Sequence, residues 1–372
     1  MQCLQKHIEI KNKKTAREEN KISLIKFLLS NVKMKISTIW AWNRWLALSD
    51  VLAYNGNDIL VYARDTSNAN EINQYHTSSK YLWDKTIDKK IQASSNLQEV
   101  LEFSNYLVIA VPSKSIISVL DEIKRIKNSD NYFFINATKW FADKKTIQQT
   151  IGEYFPVHRW LVSVLWPGFS REVIDKNITC LCSVSNNEEQ ALFVQALFSN
   201  NYFRLYTQND VIWAETYSSL KNAIAIASGV ISWLWYWINT KSCLITQAVR
   251  EMAIIWRIQW AKEGTSFWLT GLWDVILTCS SDESRNFEAG YKIWKDNWAE
   301  NFLKNNRKTV EWLSVISVVE DIIEKNNLDL PIFHSLYEVI YKKAKPTDML
   351  KKIMLRNLTD ETSLYQQIKD IN

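Results

Sequence analysis

From Met34 to about Asp210 the chain alternates between short β-forming runs and helical or polar spans. Such alternation predicts a mostly parallel sheet with helices on its faces. The predicted strands cover residues 35–39, 58–62, 106–111, 132–137, 160–165 and 178–184. Beyond Asp210 the β-rich runs stop, and residues 222–255, 302–326 and 333–368 are predicted to be helical. We therefore expect an α/β domain over residues 34–213 and an all-α domain over residues 214–372.

Residues 1–33 carry eight Lys or Arg against three Glu, with one short apolar patch at residues 22–29. That patch is too short to cross a bilayer. Two interpretations stay open: a start codon placed too early, with Met34 opening the domain, or a targeting peptide, which the three glutamates argue against. We expect this extension to lie outside the fold.

A second apolar run, residues 223–238, also falls short of a membrane span and favours a buried core helix. The chain is 47% apolar and 23% charged, which excludes intrinsic disorder. Its net charge of +5 is dispersed, so no nucleic-acid partner is expected. Five cysteines without a signal peptide indicate reduced thiols and a cytoplasmic location.

The turn after the first predicted strand reads Trp40-Ala-Trp42-Asn43-Arg44-Trp45 and leads into a helix. In dinucleotide-binding folds this turn reads G-x-G-x-x-G, because the backbone must turn tightly, approach the pyrophosphate and let the helix pack on the strand. Here tryptophan occupies all three glycine positions. As written, this turn should not bind a dinucleotide.

Glycine and tryptophan are present in abnormal numbers, at 7 and 18 residues. A chain of this length typically holds roughly 25 glycines. The sum of the two counts, 25, equals this typical number of glycines, which suggests that many tryptophans stand at positions where glycine is expected.

From Met34 to about residue 355 the chain resembles the bacterial NAD(P)-dependent glycerol-3-phosphate dehydrogenases. The first nine positions of the family's opening motif I-G-A-G-N-W-G-T-A-L-A match residues 39–47 apart from the tryptophans, Arg44 and Leu46. Further motifs follow in the family's order: Glu71-Ile-Asn73, Lys80-Tyr-Leu82, Ile109-Ala-Val-Pro-Ser113, Ala137-Thr-Lys139, residues 220–226, Asn239-Thr-Lys241, Leu277-Thr-Cys279 and Ser284-Arg-Asn286. The resemblance implies a Rossmann-like N-terminal domain followed by a helical substrate domain.

Most of the tryptophans fall where this family shows glycine: residues 40, 42, 45, 140, 166, 213, 233, 235, 237, 256, 268, 273 and 312. The economical hypothesis is that the gene uses UGA as a glycine codon and was translated with UGA as tryptophan. The alternative is a decayed relative that has lost its cofactor and survives as a non-catalytic Rossmann-like binding protein. Decay would also erode the polar site residues, and these persist.

The polar residues predict a site for alcohol oxidation. Hydride transfer from a secondary alcohol needs a group that takes the hydroxyl proton, and a desolvated lysine can serve. The resemblance implies that Lys221 is this acceptor, that Lys139 contacts substrate and cofactor, and that Asp274 orients Lys221 or a substrate hydroxyl. Alone, Lys221 would more often be a solvated helix lysine. The resemblance further implies that Ser284, Arg285 and Asn286 hold the glycerol phosphate.

The resemblance implies NAD or NADP as cofactor, bound by Trp40, Trp42, Asn43, Arg44, Trp45, Arg64, Lys139, Arg285 and Glu311. Arg64 follows the second predicted strand, where an arginine accepts the 2′-phosphate of NADP, so NADPH is the expected preference. The implied reaction interconverts sn-glycerol 3-phosphate and dihydroxyacetone phosphate for phospholipid synthesis. A two-domain dehydrogenase of hydroxy acids is a nearer alternative, against which Asp274 and Ser284-Arg-Asn286 argue.

No metal is expected, because the four histidines lie far apart and no zinc-ligand spacing occurs. The thiols of Cys180 and Cys182 point to one face of a strand and favour a core pair. A small-molecule substrate is the expected partner. The sequence leaves the oligomeric state open, with a homodimer as the candidate assembly.

Overall fold

The structure, a computed structural model, places two compact units along the chain. The first comprises residues up to Thr138 and from Ala142 to Val211, and the second runs from Ile212 onward. The residues that the structure describes are 20–21, 25, 32–40, 43–129, 131–138, 141–142, 145–165, 168, 170–233, 238–258, 269–280, 284–295, 311–345, 347–348 and 351.

The first unit is built on an eight-stranded sheet. Its strands are β1 Lys35–Ile39, β2 Asp58–Tyr62, β3 Ile91–Ser94, β4 Tyr106–Ile109, β5 Phe133–Asn136, β8 Trp160–Leu165, β9 Thr179–Val184 and β10 Phe203–Gln208. They lie in the order β10-β9-β8-β5-β4-β1-β2-β3, and neighbouring strands are parallel except β8 and β9, which are antiparallel. A separate two-stranded sheet pairs β6 Phe141–Ala142 with β7 Lys145–Thr146.

Helices connect these strands and cover the sheet. They are α1 Asn43–Tyr54, α2 Thr66–Tyr75, α3 Ser79–Leu82, α4 Leu97–Phe103, α5 Ile116–Ile126, α6 Ile147–Tyr154, α7 Ser170–Ile174 and α8 Glu188–Phe198, with a short 3-10 turn at Ser113–Ser115. Successive residues of β2 enter different apolar clusters, Ile59 and Val61 one and Leu60 the other. Both faces of the sheet are therefore buried, as expected of strands that crossover helices connect.

From Ile212 onward, the regular secondary structure of the described residues is helical. The helices are α9 Val211–Trp233, α10 Ile238–Ile258, α11 Asp274–Ser280, α12 Arg285–Lys295, α13 Glu311–Asn326 and α14 Pro331–Tyr341, with a π-type turn at Leu269–Trp273 before α11. The buried Glu251 of α10 stabilises the first turn of α14, because its carboxylate accepts hydrogen bonds from the N–H groups of Ile332 and Phe333 at 3.0 to 3.2 Å. The predicted fold class, an α/β domain followed by an all-α domain, is confirmed.

Several predicted elements needed correction. Two strands of the sheet, β3 and β10, were not predicted, and β4, β5 and β9 are shorter than predicted. Residues 222–255 were predicted as one helix, but the described residues form α9 and α10 on either side of residues 234–237. The helix predicted over 333–368 is interrupted after Tyr341, because Lys343 has a φ of 61° and cannot continue it. Residues 347–348 and 351 are helical again, and residues 352–368 lie outside the described part of the chain.

Among the described residues, every helix is too short or too polar to cross a membrane. Residues 1–19, most of the predicted extension, lie outside the described part of the chain.

Candidate functional site

The second unit buries an ion pair between a lysine of α9 and the first residue of α11. The Nζ of Lys221 contacts the Oδ2 of Asp274, and the two side chains are only 5% and 3% exposed. An unpaired charge at such a position would be very costly, so each group makes the burial of the other tolerable. The structure thus joins two side chains that the sequence analysis placed in one site.

A second polar contact lies one residue further along α9. Asn286, in the first turn of α12, donates its side-chain N–H to the Oδ1 of Asn222 at 2.5 Å. Asn222 is 6% exposed and follows Lys221 directly. Asn222 is not among the site residues that the sequence predicts, because an amide beside a lysine is too common to indicate a site.

Ser284 precedes α12 and caps it. Its hydroxyl accepts the N–H of Phe287 at 3.3 Å, the usual geometry for a residue that caps a helix N-terminus. Ser284 is 4% exposed. Because α12 begins here, its first backbone N–H groups and its positive dipole end lie beside Ser284 and Asn286.

Two glycines hold α9 and α12 in backbone contact. A Cβ at Gly229 would overlap the carbonyl oxygen of Phe287, and a Cβ at Gly290 would overlap that of Ile226. Only glycine allows helix backbones to approach so closely. This crossing fixes the segment from Ser284 to Asn286 against the helix that carries Lys221 and Asn222.

Cys279, on α11, is buried close to the ion pair. Its backbone carbonyl accepts the hydroxyl proton of Ser228 on α9 at 3.2 Å, which ties the two helices together. Burial raises the pKa of the Cys279 thiol to about 12, although Lys241 and Lys221 act in the opposite direction. Burial therefore disfavours the thiolate, which is the nucleophilic form of cysteine.

The first unit carries a separate cavity at one edge of its sheet. Ile39 and Tyr62 are paired at the carboxyl ends of β1 and β2, so the residues that follow these strands lie together. They line a cavity of about 210 Å³ formed by Trp40, Ala63, Arg64, Asp65, Asn68, Lys80 and Tyr81. Ligands of doubly wound folds bind at this edge.

The carboxylate of Asp65 makes hydrogen bonds and an ion pair with neighbouring residues at this edge. Its carboxylate accepts the backbone N–H of Ser67 at 3.1 Å, which caps α2, and the hydroxyl of Ser67 at 2.7 Å. It also pairs with Lys80 at 3.2 Å. These hydrogen bonds lower the pKa of Asp65. Lys80 thus places a second cation in the cavity that Arg64 lines. The sequence did not predict Lys80 as a site residue.

Other residues predicted to bind the cofactor lie near the start of α1. Asn43 begins the helix and accepts the N–H of Arg44 at 2.9 Å, while Trp45 is 7% exposed and packs into an apolar cluster of the first unit. Lys139 and Trp42 lie outside the described residues. Arg285 and Glu311 begin α12 and α13, and their side chains are outside the described part.

No group of three or more metal-ligating side chains occurs among the described residues. The described cysteines, Cys180, Cys182, Cys243 and Cys279, are free thiols.

Comparison with known proteins identifies relatives along most of the chain. The profile of the N-terminus of NAD-dependent glycerol-3-phosphate dehydrogenase matches residues 41–191, and that of its C-terminus matches residues 210–351. Glycerol-3-phosphate dehydrogenase (NAD(P)+) of Staphylococcus carnosus is 33% identical over 319 residues, covering 85% of this chain and 96% of that protein. A Lactobacillus delbrueckii enzyme with the same name, numbered 1, is 32% identical and covers 88% of this chain and 98% of its own.

Solved structures show the same fold. Glycerol-3-phosphate dehydrogenase of Coxiella burnetii superposes with a TM-score of 0.78 at 22% identity, over 87% of this chain and 99% of that one. The Plasmodium falciparum glycerol-3-phosphate dehydrogenase gives a TM-score of 0.79 at 23% identity, over 90% and 99% of the two chains.

Proposed function

Because this chain belongs to the NAD-dependent glycerol-3-phosphate dehydrogenase family, we propose that it interconverts sn-glycerol 3-phosphate and dihydroxyacetone phosphate. NAD or NADP is the hydride carrier of this reaction. Its product in the reducing direction supplies the glycerol phosphate of phospholipids. We further propose a cytoplasmic location and a homodimeric assembly.

The buried contact between Lys221 and Asp274 is the observation that carries this proposal. Reducing the ketone to a secondary alcohol adds a hydride to the carbonyl carbon and a proton to the carbonyl oxygen. The ammonium of Lys221 donates that proton, and in the reverse direction the neutral amine accepts it from the hydroxyl. Asp274 holds the Nζ of Lys221 in position and compensates its charge in a nearly dry environment.

The substrate phosphate would be held at the start of α12. The N-terminus of a helix offers free backbone N–H groups and a positive dipole end, which suit an anion. The Ser284 hydroxyl and the Asn286 amide lie at this terminus, and Arg285 stands between them in the sequence. The contact of Asn286 with Asn222 then links the phosphate end of the substrate to the helix that carries the proton donor.

The turn after β1 does not fit a dinucleotide with the residues it holds. A pyrophosphate needs exposed backbone N–H groups at this turn. Trp40 begins the turn, has a φ of 93°, and its indole lines the cavity that also contains Arg64. The proposed proton transfer and phosphate binding involve only residues of the second unit.

The test is an assay of dihydroxyacetone-phosphate-dependent oxidation of NADPH, in a chain with glycine at the tryptophan positions where the family shows glycine. We expect activity in that chain and none in the chain with the printed sequence. Lys221→Ala in the active chain should lower kcat by about 10² to 10⁴, the usual effect of a positioned acid–base group. Lys325→Ala, an exposed lysine at the end of α13, is the matched control and should be fully active.

Full activity of Lys221→Ala would remove Lys221 from the mechanism. Tight NADPH binding by the chain with the printed sequence would show that the tryptophans are compatible with the cofactor. NADPH binding without any turnover of dihydroxyacetone phosphate would favour the alternative, a non-catalytic binding protein.

A further inference from the structure

Two tryptophans have backbone angles that are typical of glycine. Trp40 has a φ of 93°, and Trp83, directly after α3, has a φ of 56° with a ψ of −111°. A residue with a Cβ tolerates positive φ mainly in a small region, at φ of about 50 to 70° and ψ of about 30 to 60°. Trp40 lies beyond that φ range, and the ψ of Trp83 lies far outside it. Gly56, by comparison, has a φ of 96°.

His76 shows that a non-glycine residue with positive φ need not share this feature. His76 ends α2 with a φ of 55° and a ψ of 37°, inside the tolerated region. Lys176, Asn327 and Lys343 have φ values of 59°, 50° and 61°. A positive φ alone therefore does not set Trp40 and Trp83 apart. They differ from His76 because their backbone angles lie outside the left-handed helical region.

Side-chain packing does not compensate Trp83 for this backbone. Its indole is 60% exposed, so burial of apolar surface offsets little of the strain. Trp160 is a clear contrast: it lies in β8, and its ring stacks edge-on against Phe133 at 5.3 Å and Phe193 at 4.8 Å. Of the three tryptophans compared, Trp160 lies in an aromatic cluster, whereas Trp40 and Trp83 occupy strained backbone positions.

We infer that residues 40 and 83 are glycine in the functional protein and that residue 160 is a true tryptophan. Trp83 is not among the positions where the family resemblance predicts glycine, so the backbone identifies it independently. Under the codon hypothesis, positions 40 and 83 are encoded by UGA and position 160 by UGG. Glycine at position 40 also removes the indole from the turn that a pyrophosphate must approach.

The direct test is peptide mass spectrometry of the protein isolated from its own cells, together with sequencing of the gene. We expect glycine at residues 40 and 83 and tryptophan at residue 160. Tryptophan at residue 40 or 83 in the native protein, or UGG codons there, would overturn the inference.

A second test uses urea unfolding of the full chain produced with the printed sequence, and it does not depend on activity. Trp83→Gly should raise the urea midpoint, because it removes the backbone strain. Trp83→Ala removes the same indole but keeps a Cβ, so it should raise the midpoint less. Trp160→Gly should lower the midpoint, since it empties an aromatic cluster.

An equal effect of glycine and alanine at position 83 would contradict the backbone argument. An increase on Trp160→Gly would show that the structure does not distinguish the two classes of tryptophan. Because neither readout involves substrate or cofactor, either result can be separated from a failure of the proposed enzymatic function.

Discussion

Lys221 and Asp274 form an ion pair whose two side chains are almost completely removed from solvent. Removing one partner leaves the other charge buried without compensation, which typically costs about 3 to 5 kcal/mol. We therefore expect Lys221→Met and Asp274→Asn each to lower the free energy of unfolding by roughly that amount. The double variant should lose less than the sum of the two single losses, as a thermodynamic cycle from urea unfolding would measure. Strictly additive losses would show that the two charges do not interact.

The close crossing of α9 and α12 predicts a steric penalty at Gly229. Gly229→Ala places a Cβ against the carbonyl oxygen of Phe287 and must push two backbones apart. We expect a loss of about 1 to 3 kcal/mol in the free energy of unfolding. Gly152→Ala in α6 is the matched control, because its Cβ would lie 3.9 Å from Leu161, an ordinary contact. There the better helix propensity of alanine should increase stability by about 1 kcal/mol.

Arg64 is predicted to set the cofactor preference. It lines the cavity beside Lys80, while Asp65 caps α2 and pairs with Lys80. In the chain with glycine at residues 40, 42 and 45, Arg64→Ala should weaken binding of NADPH more than binding of NADH, because only NADPH carries the 2′-phosphate. Titration with each nucleotide measures the difference, with Lys89→Ala as a control, because the exposed Lys89 precedes β3 at the opposite edge of the sheet. Equal losses for both nucleotides would reject this role.

Asp50 predicts a dependence of stability on pH. Burial raises the pKa of this carboxyl, although the N–H of Asp88, donated to Asp50 at 2.7 Å, acts in the opposite direction. An acid with a raised pKa in the folded state favours folding only while it is protonated. Its contribution is lost as the pH rises from the unfolded pKa, about 3.9, through the folded one.

Asp50→Asn should therefore raise the free energy of unfolding at pH 7, since it keeps the acceptor oxygen and removes the charge. The advantage should shrink as the pH approaches 4. Urea unfolding at both pH values measures it, and a wild-type chain that is the more stable at pH 7 would contradict the argument.

The sequence predicts those strands whose residues clearly favour β-structure, and it misses short strands and strands with exposed polar side chains. β1, β2 and β8 were predicted with the bounds that the structure has, because each is rich in β-branched and aromatic residues, which favour strands. β3 was missed because it has four residues, of which Gln92 is exposed. β10 was missed because its exposed side chains, such as Arg204, break the apolar pattern of an edge strand.

The candidate site also contains residues that the sequence predicted and others that it did not. The sequence brought Lys221 and Asp274 together through their order in the chain and the family resemblance. It carried no signal for Asn222, whose role depends on a side-chain contact with Asn286 across two helices. Nor did the sequence distinguish Trp83 from Trp160, since backbone angles and ring contacts exist only in the folded chain.

The contact between the backbones at Gly229 and Gly290 also limits how this half of the molecule can respond to a substrate. Helices separated by side chains can slide as rotamers change, whereas helices in direct backbone contact have no such layer to deform. Lys221, Asn222, Ser284 and Asn286 therefore keep a constant spacing. In the proposed reaction Lys221 acts at the carbonyl, and Ser284 and Asn286 bind the phosphate, so this crossing would fix the distance between the two ends of the substrate. We expect a shorter or longer phosphate ester to reach only one of them.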